Sequence, residues 1–146
     1  MSTPHPLEKL QTLSQWSRQH PDLKLLVLFG SRARGDHDPS SDWDFAFLTN
    51  PTPAKTTYNW VPGADLLPIL TQHLQTSDEK IDLIDLSTCS DILAHYVARD
   101  GQLIYERDPG EFVRFQQQAL KTPDNLHQFR QTQRQKVLAA LERWGV

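Results

Sequence analysis

The chain has a single cysteine, Cys89, so no internal disulfide can form, which suits a reducing compartment. It has no excess of positive charge. Fifteen Lys and Arg stand against eighteen Asp and Glu, a net charge of −3. That balance argues against a general nucleic-acid binder and leaves room only for a local basic patch. No apolar run approaches the roughly 18 residues of a membrane span. Met1 to Pro6 has neither the basic start nor the apolar run of a signal peptide. The expectation is a cytoplasmic protein with no membrane contact and no direct contact with nucleic acid. What remains is 146 residues, 38% hydrophobic and 23% charged, enough for one folded domain with a real core.

Leu7, Leu10, Leu13 and Trp16 recur at three-residue spacing, which predicts a helix over about 6–19 that stops at His20-Pro21. Leu23 to Phe29 is short and almost wholly apolar, the pattern of a buried strand. Trp43 to Leu48 alternates, with Asp44 and Ala46 on a polar front and Phe45 and Phe47 on an apolar back. Residues 49–63 carry Pro51, Pro53, Pro62 and Gly63 and read as a long loop. A helix over Asp65–Gln75 and a third strand over Ile81–Leu86 follow. Thr88 and Asp91 have capping-box spacing ahead of a helix through Ile92, Leu93, Tyr96 and Val97 that ends near Gly101. Gln102 to Tyr105 reads as a short fourth strand. From Asp108 onward the chain reads as two helices, opened by Asp108-Pro109 and Thr122-Pro123. Phe112, Phe115 and Ala119 share a face of the first; Leu126, Phe129, Val137, Leu141 and Trp144 mark a stripe on the second. That stripe is either core or partner interface.

The chemistry concentrates in Gly30-Ser31-Arg32-Ala33-Arg34-Gly35-Asp36 and in Asp42-Trp43-Asp44. Gly30, after a strand, lets the backbone turn close to a ligand. If Ser31 opens a short helix, its hydroxyl and the nearby N–H groups point at a phosphate. Arg32 and Arg34 add positive charge suited to phosphate oxygens, or simply face solvent. Asp42 and Asp44, two apart on a strand, emerge on one face. Carboxylates about 4 Å apart repel by about 4 kcal/mol at an effective dielectric of 20. A divalent cation removes that penalty, and oxygen donors suit Mg²⁺. Asp82 and Asp85 are the candidates for a third carboxylate on the next strand. Three apart, they face opposite sides, so only one can join. Asp85, near the strand end, can instead cap the following helix, and Asp82 is the favoured choice.

Gly-Ser followed after ten residues by Asp-x-Asp resembles the signature of the DNA polymerase β-like nucleotidyltransferases. GSRARGD, SDWDFAFL, IDLIDL and the short chain are similar to the minimal nucleotidyltransferases, and within them to the antitoxins of HEPN/minimal-nucleotidyltransferase modules. The resemblance covers roughly residues 23–105. It implies an α+β fold, a small mixed β-sheet flanked by helices, with a helical C-terminal tail. It implies ATP as substrate, Mg²⁺ as cofactor, and transfer of AMP to a tyrosine hydroxyl of a partner HEPN ribonuclease toxin, which silences it. On that resemblance Gly30, Ser31, Arg32 and Arg34 bind the nucleotide, and Asp42, Asp44 and Asp82 are catalytic and ligate metal. Trp43 departs from the small aliphatic residue usual there and should alter packing behind the strand. Neutralisation by a stable complex, or transfer to a small molecule or RNA, are the alternatives.

Other features have plainer readings. Arg32 and His37 match the arginine–four residues–histidine spacing of HEPN ribonucleases, but they fall in a loop and not on a helix. Asp36 and Asp38 are turn residues. His73, His95 and His127 lack ligand spacing and belong on helix surfaces or edges. Cys89 is structural. Tyr58 and Trp60 are packing residues or an adenine platform. The expected division is a nucleotidyltransferase domain over 1–107 and C-terminal helices over 108–146, packed on it or at a partner interface.

Overall fold

Seven residues, Leu23–Phe29, form strand β1, and its burial accounts for its composition. In the computed structural model, which describes residues 10, 11, 20, 22–50 and 63–143, Leu25, Leu26, Val27 and Leu28 are all 0% exposed. A strand covered on both faces over its centre is apolar there, and its one polar residue, Lys24, sits near its start and pairs with Glu111 at 3.8 Å. Each such side chain contributes about 1.5–3 kcal/mol by leaving water.

The elements follow as β1, the one-turn helix α1 (Ser31–Arg34), β2 (Trp43–Thr49), α2 (Leu66–Leu74), a 3-10 turn (Asp78–Lys80), β3 (Ile81–Asp85), α3 (Asp91–Asp100), β4 (Gln102–Glu106), α4 (Glu111–Ala119) and α5 (Pro123–Arg143). The four strands lie in the order β3-β2-β1-β4. β1 pairs antiparallel with β2 and β4, and β2 pairs parallel with β3. This is the small mixed sheet with flanking helices that the resemblance implied.

One face of the sheet carries Leu26, Leu28, Phe45, Phe47 and Ile81, closed by Leu66, Ile69 and Leu70 of α2 and by Leu10. The other carries Leu25, Val27 and Ala46, closed by Leu93 and Val97 of α3 and by Phe112 and Phe115 of α4. The alternation in β2 therefore needs a correction. Ala46 lies on the same face as Asp44 but is fully buried, because α3 and α4 cover that half. The front of β2 is polar only at its Asp44 end.

Of the helix expected over 6–19, only Leu10 and Gln11 are described; both are helical, and the Gln11 amide donates to the Leu103 carbonyl at 2.7 Å. Tyr58, Trp60, Trp144 and the Phe129 side chain lie outside the described residues. Two helix starts differ from expectation. The cap of α3 is Ser90, whose Oγ accepts from the Leu93 N–H at 3.2 Å. Thr88 is taken by the preceding turn, where its N–H and hydroxyl both donate to the Asp85 carbonyl. α4 begins after Gly110, not at Asp108-Pro109. Its leading N–H groups are satisfied from a distance, because the Glu106 carboxylate accepts from Phe112 N at 3.1 Å. Glu106→Ala should therefore cost about 1 kcal/mol, the usual worth of a cap, seen as a lower urea midpoint with an unchanged slope. Thr122 does cap α5, accepting from Asn125 N.

His95 is also corrected. It is buried at 4% exposure, and its Nδ1 accepts from the Lys121 N–H at 3.0 Å, fastening α3 to the α4–α5 junction. Burial, then the charges of Arg99, Lys121 and Arg130, hold its pKa below the usual histidine range. Along α5, Leu126 and Leu141 are half-buried while Val137 and Leu138 are more than half exposed. Among the described residues no helix is long and apolar enough to cross a membrane.

Candidate active site

β1 ends at Phe29, which lies opposite Asp44 in the antiparallel register. The chain then turns at Gly30, with φ 77° and ψ −160°, a conformation essentially reserved for glycine. A Cβ on Gly30 would overlap the Asp44 carboxylate. The turn and the acid are thus packed directly on one another. α1 follows, with the Ala33 and Arg34 N–H groups donating to the Gly30 carbonyl and Gly35 closing the turn in the left-handed region at φ 84°. Ser31 is its first residue and is half-buried.

The parallel register of β2 and β3 sets Asp44 beside Asp82. Asp85 pairs with Phe47, so it sits on the opposite face, where it accepts from the Ser87 N–H and hydroxyl. The geometry places Asp82, and not Asp85, with Asp44. Asp44 is half-buried, and its pKa is raised to about 6. Burial is the first cause, followed by the Asp82 charge and hydrogen bond and by Asp42; Arg34 opposes them. Asp42 stands exposed, one residue ahead of the strand.

Two adjacent carboxylates form a natural oxygen-donor pair for Mg²⁺. Among the described residues no three acidic, histidine or cysteine side chains enclose a metal alone. Mg²⁺ ordinarily takes one or two carboxylates and completes its shell with substrate phosphates and water.

The two arginines diverge. Arg32 turns away from the acids: its Nε and Nη2 donate to the Ser41 carbonyl at 3.1 and 3.0 Å. Its guanidinium lies 4.1 Å from the centre of the Trp43 ring. Trp43 sits on the back face, stacked on Phe45 at 6.4 Å. Arg32 thus braces the residue immediately before Asp42, a role no spacing in the sequence announces. Arg34 is exposed and bonded to Asp36 at 3.2 Å, and its charge reaches Asp44. The loop between holds its shape through Asp38, which accepts from Ser40. Cys89 is a structural thiol whose pKa burial pushes up. A further tie, unread in the sequence, joins buried His20 to Asp65 at 2.9 Å.

Residues 11–110 match the sequence model of the family described as polymerase beta, nucleotidyltransferase. The chain is 40% identical over 128 residues to the protein adenylyltransferase MntA of Aphanizomenon flos-aquae, covering 86% of this chain and 85% of that one. It is 30% identical over 120 residues to the protein adenylyltransferase MntA of Shewanella oneidensis, covering 81% and 76%. Its fold is similar to a solved toxin–antitoxin with AMP-PNP, at TM-score 0.59 and 24% identity over 94% and 96% of the two chains. It is also similar to a tri-AMPylated Shewanella oneidensis HEPN toxin in complex with MNT antitoxin, at TM-score 0.56 and 23% identity over 94% and 96%.

Proposed function

Since the chain belongs to the polymerase β nucleotidyltransferase family and, within it, to the relatives named protein adenylyltransferase MntA, we propose that it transfers AMP from ATP to a tyrosine hydroxyl of a partner HEPN toxin and so neutralises it. The observation that carries this reading is Asp44, set in register with Asp82 and packed against the Gly30 turn. A phosphate turn and a carboxylate pair meet there on one end of one sheet face.

Gly30 and Ser31 hold the β- and γ-phosphates, and Arg34 adds charge nearby. Asp42, Asp44 and Asp82 would hold Mg²⁺ together with the substrate phosphates. The chemistry supplied by that ion when bound is neutralisation of the triphosphate and activation of the acceptor hydroxyl. Arg32, committed to Ser41 and Trp43, positions the loop and does not grip phosphate. The acceptor oxygen bonds to the α-phosphorus, the bond to pyrophosphate breaks and pyrophosphate leaves, and the hydroxyl proton passes to water. Asp44 and Asp82 keep the two reacting ends in line.

Intact mass spectrometry tests this. A HEPN-type toxin is incubated with this chain, ATP and Mg²⁺. The expected result is a mass gain of one or more AMP units on a tyrosine. A partner that is neutralised without any gain in mass would replace transfer with blockade by complex formation.

A further inference from the structure

One polar cluster spans α3 and α5. Leu93 and Val97 turn α3 toward the sheet, and His95 and the Ala98 carbonyl meet Lys121 and Gln116. Tyr96 and Asp100, one turn apart, share the remaining flank. Arg99 lies over the Tyr96 ring at 4.7 Å and bonds Asp100 at 2.8 Å. Arg130 reaches across from α5 to donate to the Tyr96 hydroxyl at 2.7 Å.

This end of α3 is fastened to the nucleotide turn, because Gln102, just beyond it, donates to the Ala33 carbonyl at 2.7 Å. The charge of Arg34 acts on both Asp44 and Asp100. The cluster therefore borders the site. Arg99, Arg130 and Lys121 face a single carboxylate there, in a chain of net charge −3. Arg99 is half exposed and Arg130 is exposed. Guanidinium forks suit phosphodiester oxygens, and arginine planes and tyrosine rings are surfaces on which purines stack.

We propose that Tyr96, Arg99 and Arg130 form an acceptor-side subsite that holds an AMP already attached to the partner, so that its ribose hydroxyl receives the next AMP. The inference rests on the adenylylation reading above. It gains its point from the Shewanella oneidensis toxin that is tri-AMPylated. After one transfer the acceptor is no longer a phenol but a nucleotide, and a site that continues must grip that nucleotide. In each later step a ribose oxygen bonds to the α-phosphorus of a new ATP. The bond to pyrophosphate breaks, pyrophosphate leaves, and the hydroxyl proton passes to water.

The test compares the wild-type chain with R99A/R130A on the same partner, ATP and Mg²⁺, by intact mass and peptide mapping over time. Wild type should build a ladder of AMP units on one residue. The variant should add the first AMP within about twofold of the wild-type rate and later ones about tenfold or more slowly, the loss expected when charge-assisted bonds to a phosphodiester are removed. An unchanged ladder, an equal fall in first and later additions, or AMP units on separate residues would each overturn the subsite. A wild-type chain that adds no AMP at all would sink the adenylylation reading itself.

Discussion

Asp44→Asn should abolish nucleotidyl transfer and, in the same molecule, raise the stability of the metal-free protein. The loss of activity follows from the proposed ligand role. Removing a carboxylate from a metal-dependent phosphoryl site costs about 4 kcal/mol of transition-state stabilisation, or about 10³-fold in rate. The gain in stability follows from the raised pKa. Asp44 titrates at about 6 in the folded chain against an ordinary 3.8, so the native state binds this proton more tightly than the unfolded one. Stability therefore falls as pH rises from 3.8 through 6 and stays lower above. Asparagine keeps a hydrogen-bonding group beside Asp82 and removes the charge. Because Asp44 is only half-buried, solvent screening reduces the gain to about 1 kcal/mol, a rise of about 2–4 °C in Tm for a domain of this size. Melts with chelator present check it: a higher Tm for the variant at pH 7.5, and none at pH 3.5 where wild type is already protonated. Retained transfer would remove Asp44 from the site. A lower Tm at pH 7.5 would show that the two acids do not repel.

Gly30→Ala is the second large effect. Its backbone costs a non-glycine residue about 1–3 kcal/mol, and its new methyl would occupy the space of the Asp44 carboxylate. Moving that acid costs more, so a loss of about 3 kcal/mol is expected, with transfer lost as Asp44 is pushed from Asp82. Gly35 provides the contrast. It too has a positive φ, but nothing lies within 4 Å of its Cβ position, so Gly35→Ala should cost about 1 kcal/mol, the local backbone strain alone. A double-mutant cycle separates the two parts of the Gly30 effect. Combined with Asp44→Ala, Gly30→Ala should cost about 1–2 kcal/mol less than it does alone, because the obstruction is gone. Strict additivity in urea melts would show that the turn and the acid are not in contact.

The strands were legible because their side chains obey period two, and β1 was legible because Lys24 is its one polar position among apolar residues. Asp82 could be separated from Asp85 by parity alone, and the register then placed Asp82 beside Asp44. Helix starts were less legible. Thr88 and Ser90 are both good caps in sequence, and only the turn that consumes Thr88 decides between them. The α4 cap comes from Glu106, on another element, which no local pattern can reveal. The same holds for Arg32. Its charge suggests phosphate, but Trp43 and the Ser41 carbonyl, both brought by the strand after the loop, claim it first. His95 read as a surface residue because its burial depends on the chain returning after α4.

The parallel pairing of β2 with β3 also bears on the order in which the molecule can be built. β1, the glycine turn and β2 come first along the chain, and an antiparallel pair can close through the intervening loop as soon as both strands exist. Asp82 arrives only after α2, through a crossover whose closure is slow because its contacts are distant in sequence. A growing chain thus holds the Gly30 turn, Asp42 and Asp44 before it holds Asp82. The last strand to join the upstream half of the sheet brings the like charges together, and the catalytic arrangement comes into being only when that strand is in place.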